Sequence, residues 1–249
     1  MKILLTNDDG FHAPGIQTLY RLLKKKNHEV AIIAPNTEKS ASSHSVTLFQ
    51  PLRLYKKGEN CWAVSGTPAD CSIIASKKMI HFVPDIVISG INRGQNMGED
   101  VLYSGTIAAA LEAMYLGMKS IAVSLVAFEN EKYETAAKVI SKLLDENILE
   151  QIKEGEILNI NVPNVEFEKI KGVKSTFLGH RIYNDFVVEQ EDPFGKKIYW
   201  IGGSAPEWKI LAGSDYSAVN NGFVSITPIK PDFNSKNTLE KFTQKISLT

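Results

Sequence analysis

The sequence predicts an α/β protein: a mainly parallel sheet flanked by helices, followed by a smaller β-rich region. Three observations predict it. Short, almost wholly apolar runs recur along the first two thirds of the chain, as they do in strands buried on both faces. Helical patterns separate them. Past Pro163 the pattern changes to short β-like segments punctuated by Gly, Asp and Pro. Residues 1–163 therefore read as the core. Residues 164–249 read as an extension with a returning strand and a tail, integrated with the core into one domain.

Lys2–Thr6 is the first predicted strand. Pro14 and Gly15 open a helix with Ile16, Leu19, Tyr20, Leu22 and Leu23 on one side. Lys24, Lys25 and Lys26 suit its last turn, where the helix dipole favours positive charge. Glu29–Ala34 is the second strand, which completes a βαβ unit and implies right-handed parallel crossovers. That unit lacks the G-x-G-x-x-G of a dinucleotide site, having Asp-Asp-Gly-Phe-His-Ala-Pro-Gly instead, so a dinucleotide oxidoreductase is not expected. Cys61–Val64 is a strand, and Thr67-Pro68-Ala69-Asp70 is a helix start with Thr67 as cap. Further strands are expected over Pro84–Ser89, Ser120–Leu125 and Ile157–Val162, and helices over Ile107–Leu116 and Ala136–Leu144. In the extension, Val173–Phe177, Phe186–Glu189 and Lys196–Ile201 suggest hairpins. Gly222–Pro228 rejoins the structure, and Asn237–Ile246 is a terminal helix.

Composition narrows the function. Lys plus Arg equals Asp plus Glu, 28 each, so no overall field directs the chain to nucleic acid or an acidic membrane, and a small ligand is favoured. The two cysteines, Cys61 and Cys71, read as buried thiols of a reducing compartment. No apolar run reaches the length of about 18 residues needed to span a bilayer. Asn7-Asp8-Asp9 interrupts the apolar start too early for a signal peptide. The expectation is a cytoplasmic protein with no membrane and no stable nucleic-acid partner.

The chemistry starts at Thr6-Asn7-Asp8-Asp9-Gly10. Adjacent carboxylates repel and are costly to bury without a counter-charge. They suit the carboxyl edge of a parallel strand, where open α/β sheets bind ligands, and a divalent cation would supply the missing charge. Capping of the next helix is the plainer use of the same residues. Two more loops follow predicted strands and belong on that edge: the hydroxyl-rich Asn36–Thr47 and the glycine- and asparagine-rich Gly90–Gly98. Together they offer an all-oxygen shell suited to magnesium or manganese. Ser104-Gly105-Thr106, at a helix amino terminus, is a ready phosphate site. Such an assembly suits metal-assisted phosphoester hydrolysis.

Thr6-Asn7-Asp8-Asp9-Gly10, Ala13-Pro14-Gly15-Ile16, Gly66-Thr67-Pro68-Ala69-Asp70-Cys71, Ser89-Gly90-Ile91-Asn92-Arg93-Gly94, Asn96-Met97-Gly98 and Tyr103-Ser104-Gly105-Thr106 occur in one order that resembles the SurE family. The likeness extends to Tyr199-Trp200-Ile201-Gly202-Gly203 and Val224-Ser225-Ile226-Thr227-Pro228. It implies a Rossmann-like core, a β-hairpin extension and a carboxyl-terminal segment exchanged within a homodimer or homotetramer. It implies 5′(3′)-nucleotidase activity on nucleoside monophosphates with one divalent ion, Mg2+ or Mn2+, per subunit. It assigns the metal to Asp8, Asp9, Ser40 and Asn92, and the phosphate to Asn96, Ser104, Gly105 and Thr106. Around Ser40 the family's Arg-Ser-Gly or Arg-Ser-Ala is Lys39-Ser40-Ala41, with Ser42 and Ser43 adjacent.

Asp8 and Asp9 are the expected catalytic residues. A covalent aspartyl route needs a second Asp two residues on and a distant Lys, so attack by metal-activated water is the expected mechanism. His12 and His44 lack metal-ligand spacing and are expected to be loop histidines. Arg93 and Asp215 are expected substrate contacts. The alternative function is a nucleotide-binding regulator that uses the same shell without turnover.

Overall fold

A computed structural model describes residues 1–79, 83–182, 185–203 and 207–232. In chain order the elements are β1 (Lys2–Thr6), α1 (Pro14–Lys25), β2 (Glu29–Pro35), β3 (Leu54–Gly58), β4 (Cys61–Val64), α2 (Pro68–Ile74), β5 (Ile86–Arg93), α3 (Gly105–Tyr115), β6 (Ser120–Val126), α4 (Tyr133–Asp145) and β7 (Ile157–Pro163). The extension adds β8 (Val173–Ser175), β9 (Arg181–Ile182), β10 (Asp185–Glu191), β11 (Lys197–Gly203), β12 (Glu207–Trp208), α5 (Asp215–Asn220) and β13 (Val224–Ile229).

The main sheet runs in the order β3-β4-β2-β1-β5-β6-β7-β13-β8. The pairs from β4 through β7 are parallel, with Leu5 opposite Ile32 on one side of β1 and Thr6 opposite Ser89 on the other. The chain builds outward from β1 through β2 to β4, then returns to β5 on β1's other side and builds away through β6 and β7. The order therefore reverses between β1 and β5, which is where such sheets form a ligand crevice.

Alternation along the strands divides the core between two helical layers. Ile3, Leu5, Ile32, Ile86 and Ile88 pack with Ile16, Leu19 and Leu23 of α1 and Val139, Ile140 and Leu144 of α4. Leu4, Ile33 and Val87 face the other way, toward Cys71 of α2 and Ala113 of α3. Each such fully buried side chain contributes about 1.5–3 kcal/mol, and a one-residue slip would exchange the two faces, so the register of β1 is strongly fixed. Helix α2 begins with a capping box: Asp70 N donates to Thr67 Oγ1 (3.1 Å) and Thr67 N to Asp70 Oδ2 (2.8 Å).

The structure departs from expectation in places. β5 continues past Ser89 through Gly90 to Arg93, with a register irregularity between Ser89 and Asn92, so Asn92 lies on a strand end and not in a loop. Val173–Ser175 forms no hairpin. It pairs in parallel with β13, which enters antiparallel beside β7, so the extension helps to complete the main sheet. Both β3 and the short α5 went unforeseen. The hairpin of β10 and β11 forms as expected, with Val187 opposite Ile201. The expected helix over Asn237–Ile246 and the exchanged tail lie outside the described residues. Cys61 and Cys71 are both buried and free. No described helix is long and apolar enough to cross a membrane.

Candidate active site

The turn after β1 is closed by Asn7, which has no exposed surface. Its Nδ2 donates to Gly10 O (2.9 Å) and its Oδ1 accepts from Gly10 N (3.2 Å). Gly10 has φ +102°, a conformation that side-chain-bearing residues rarely adopt, so glycine permits this closure. The turn presents Asp8 and Asp9 at the sheet reversal. Asp8 is 4% exposed, and its Oδ1 accepts from Thr106 Oγ1 at the start of α3. Asp9 Oδ2 accepts from the Arg93 amide at the end of β5 (3.2 Å).

Among the described residues neither carboxylate forms an ion pair. Burial raises the Asp8 carboxyl above its ordinary range, against the pull of the Thr106 hydroxyl. Burial, and then the neighbouring Asp8, push Asp9 up to about 7. Glu38 adds repulsion to both. Arg93 gives Asp9 little relief, because its guanidinium is turned to Glu131 (Nε to Oε1, 2.7 Å) and to the Phe128 carbonyl. Tyr133, 7% exposed at the start of α4, is near enough to Asp9 and Glu131 for their charges to add to the burial that drives its hydroxyl up to about 12.

The loop after β2 is fastened over α3. Lys39 N donates to Asp8 O (2.7 Å), and Ser43 N to Tyr103 O (3.1 Å). His44 Nε2 pairs with Glu112 of α3 at 2.8 Å, and its ring stacks on Tyr115. Thr47 bonds Asp70 through both its amide and its hydroxyl. His44 is thus a fastener of the loop. Ser40 is exposed and its Oγ donates to Glu38 Oε1 (2.7 Å). A hydroxyl that donates to a carboxylate keeps its lone pairs, so this orientation leaves Ser40 able to face a cation.

Asn92 Nδ2 donates to Gly94 O (3.0 Å), which leaves its Oδ1 as a free acceptor. Asn96 is held on three sides. Its amide donates to Asn161 Oδ1 (2.9 Å), its carbonyl accepts from Asn159 Nδ2 (2.7 Å) and Asn161 Nδ2 (2.9 Å), and its Nδ2 donates to Ser124 Oγ (2.8 Å). At α3, Ser104 Oγ caps Ile107 N (3.1 Å), and a Cβ on Gly105 would come within 2.8 Å of Asp8 Cβ and 2.9 Å of Ser42 Oγ. Gly105 thus lets Asp8 and Ser42 close on the start of α3, and the cradle they form there lies at a helix amino terminus, whose dipole favours an anion.

Comparison with known proteins bears directly on this arrangement. Residues 3–185 match the family described as "Survival protein SurE". The chain belongs to the SurE family. It is 48% identical to the "5′-nucleotidase SurE" of Mannheimia succiniciproducens, over 96% of each chain. It is 47% identical to the protein of that name from Haemophilus influenzae, over 96% of this chain and 95% of the other. The crystal structure of the SurE protein from Aquifex aeolicus has a TM-score of 0.87 and 39% identity, covering 98% of this chain and 99% of that one.

Within this SurE fold, Asp8, Asp9, Asn92 and the Ser104–Thr106 turn converge on the crevice, and Lys39 ties the Ser40 loop to Asp8. The fit to a divalent cation rests on donor chemistry: two uncompensated carboxylates beside an amide oxygen and a hydroxyl. Among the described residues no three His, Cys, Asp or Glu side chains form a metal cluster. Asp215, an expected substrate contact, has a set of backbone partners in this structure. It has no exposed surface, and its oxygens accept from the amides of Gly98 (3.0 Å), Gly179 (2.8 Å) and Tyr216 (2.7 Å), so it anchors the Gly98 turn. The fold likewise offers the site Arg93's amide, with its guanidinium engaged elsewhere. Sequence reasoning missed Glu38, Tyr133, Asn159 and Asn161. The last two carried a signal, since amides alternating with apolar residues inside a buried strand need partners.

Proposed function

We propose that this SurE-family chain is a divalent-metal-dependent phosphomonoesterase that hydrolyses nucleoside monophosphates, 5′ esters foremost, to nucleoside and inorganic phosphate. The observation that carries the reading is the pair Asp8 and Asp9, one buried and one half-buried, side by side without a counter-charge next to the amino terminus of α3. The names of the relatives support the same substrate class.

In this reading Asp8, Asp9, Ser40 and Asn92 hold one Mg2+ or Mn2+ per subunit. When bound, such an ion polarises a phosphoryl oxygen and makes a water acidic enough to attack near neutral pH. The chain's own residues do the rest. Thr106 fixes Asp8 and the Arg93 amide fixes Asp9, so neither carboxylate reorganises as charge moves. Asn96, Ser104, Gly105 and Thr106 line the phosphate side, where the α3 dipole stabilises the phosphoryl oxygens. Asn159 and Asn161 clamp the Asn96 backbone, which narrows the positions its side chain can take.

We also read the protein as a cytoplasmic homodimer or homotetramer. Exposed Phe186, Tyr199, Trp200 and Ile201 on β10 and β11 support a second copy as partner, and free buried thiols suit a reducing compartment. The deciding experiment measures phosphate release from a panel of nucleoside monophosphates with Mn2+, with Mg2+ and with chelator, for wild type beside Asp9→Asn. Metal-dependent release that collapses in the variant is expected. Nucleotide binding without release, in metal-loaded wild type, would assign the chain to regulation instead.

A further inference from the structure

The hydroxyls around the cradle can be accounted for one by one. Ser40 Oγ donates to Glu38, Thr106 Oγ1 donates to Asp8, and Ser104 Oγ caps Ile107 N. Ser42 differs: its Oγ is wholly covered and, among the described residues, has no hydrogen-bond partner. It lies 2.9 Å from the point where a Gly105 Cβ would stand, and that point is 3.0 Å from Asp8 Oδ2. A hydroxyl buried without a partner is unfavourable, so its retention at this point calls for a ligand atom to complete it.

The backbone supports the same view. Ala41 and Ser43, on either side of Ser42, have φ of +56° and +49°, uncommon for residues with a Cβ. Such geometry persists only where the surroundings over-determine it, and it gathers at ligand clamps. Here Ser42 N donates to Lys39 O (3.2 Å), Ser43 N is tied to Tyr103 O (3.1 Å), and the His44–Glu112 pair closes the far side. The loop is bent in a way that turns one hydroxyl toward the first residue of α3.

We propose that Ser42 is a substrate-contacting residue whose hydroxyl, turning about its Cα–Cβ bond out of its covered position in a half-buried residue, donates a hydrogen bond to a phosphoryl oxygen seated at the α3 amino terminus, an inference that rests on the phosphomonoesterase reading above. An anionic tetrahedral group fits because the nearest partners are a helix amino terminus and a hydroxyl with a proton to give. Ser42 thereby takes a role on the phosphate side of the cradle, distinct from that of Ser40 on the cation side.

The test compares wild type, Ser42→Ala and Ser42→Thr, each loaded with Mn2+. In Ser42→Ala, the loss of one hydrogen bond to a charged group should raise KM for a nucleoside monophosphate about 10–100-fold. The dissociation constant for inorganic phosphate, read by calorimetry, should rise by the same factor, with kcat changed less. Mn2+ affinity should be unchanged, and Ser42→Thr, which keeps the hydroxyl, should recover most of the phosphate affinity. Because Ser42→Ala removes an unpartnered group, its melting temperature should equal or exceed that of wild type. Unchanged KM and phosphate affinity would overturn the proposal. So would a lost Mn2+ site, which would give the hydroxyl to the cation, or a lowered melting temperature, which would give it a structural partner. Absence of turnover in wild type would instead fail the phosphomonoesterase reading, and phosphate affinity would still report on Ser42.

Discussion

Two places in this molecule bury aspartate, and they treat it in opposite ways. At the first residue of α5, Asp215 is fully enclosed and meets three backbone amides, from Gly98, Gly179 and Tyr216. Burial still raises its carboxyl, but each amide pulls it back. After β1, Asp9 meets one amide and another carboxylate, and Asp8 meets the Thr106 hydroxyl together with the backbone of Thr106 and its own amide. The first arrangement is complete as it stands and joins the Gly98 turn to the extension. The second has no cation beside it among the described residues. Buried charge alone does not mark a functional site; buried charge that the protein leaves unpaired does.

The largest effects should come from altering the incomplete pair. Asp9→Asn should lower kcat by about 10²–10³-fold, as the loss of a main electrostatic group does. The same change should leave the metal-free protein no less stable at pH 7.5, since one of two repelling carboxylates is gone. A melting temperature several degrees below wild type would break the contrast. Next comes Gly105→Ala, which puts a methyl group 2.8 Å from Asp8 Cβ and 3.0 Å from Asp8 Oδ2. Displacing Asp8 by even part of an ångström should cost activity about 100-fold. Circular dichroism should show the fold intact, and wild-type kinetics in that variant would mean the cradle is not where substrate sits.

Asp215→Asn should behave in reverse. An amide nitrogen would face a backbone N–H that now has no acceptor, a loss of about 1–3 kcal/mol, or about 2–4 °C in melting temperature for each kcal/mol. Because Asp215 holds the Gly98 turn from outside the crevice, Mn2+ affinity should stay at the wild-type value at temperatures where the variant is folded. Calorimetric titration of Mn2+ checks this, and a tenfold weaker site would show that the anchor and the metal shell are one unit.

This contrast also explains what could be read from the sequence. The parallel strands were legible because wholly apolar runs such as Ile3–Leu5 and Ile86–Ile88 are incompatible with a half-exposed strand. Asp8 and Asp9 were legible because adjacent carboxylates are incompatible with an ordinary strand end. β8 was not, since all three of its residues are exposed and its strand identity comes from β13, some fifty positions away. Asn161 reaches Asn96 across 65 positions, and no local pattern announces that bond. Asp215 was ambiguous for a related reason: Ser214-Asp215-Tyr216 is polar in the same way whether it meets a ligand or caps a short helix. Its amide partners decide between the two, and they come from Gly98 and Gly179 as well as Tyr216.

The smallest effect expected, and the most direct reading of the unpaired charge, is a pH dependence. Asp9 in the metal-free fold holds its proton to about pH 7, whereas in the unfolded chain it titrates near 3.8. Between those values the native state binds more protons than the unfolded one, so stability is present at low pH and is lost as pH rises toward 7. A divalent cation competes for the same oxygens and reverses the preference, releasing protons as it binds. Saturating Mn2+ should therefore raise the melting temperature more at pH 8 than at pH 5.5, and calorimetry in buffers of differing ionisation enthalpy should detect proton release near pH 6.5. Asp215→Asn should keep this dependence and Asp9→Asn should lose most of it. Equal metal stabilisation at both pH values in wild type would mean that Asp9 is already ionised without metal, and the contrast between the two aspartate sites would then be one of geometry alone.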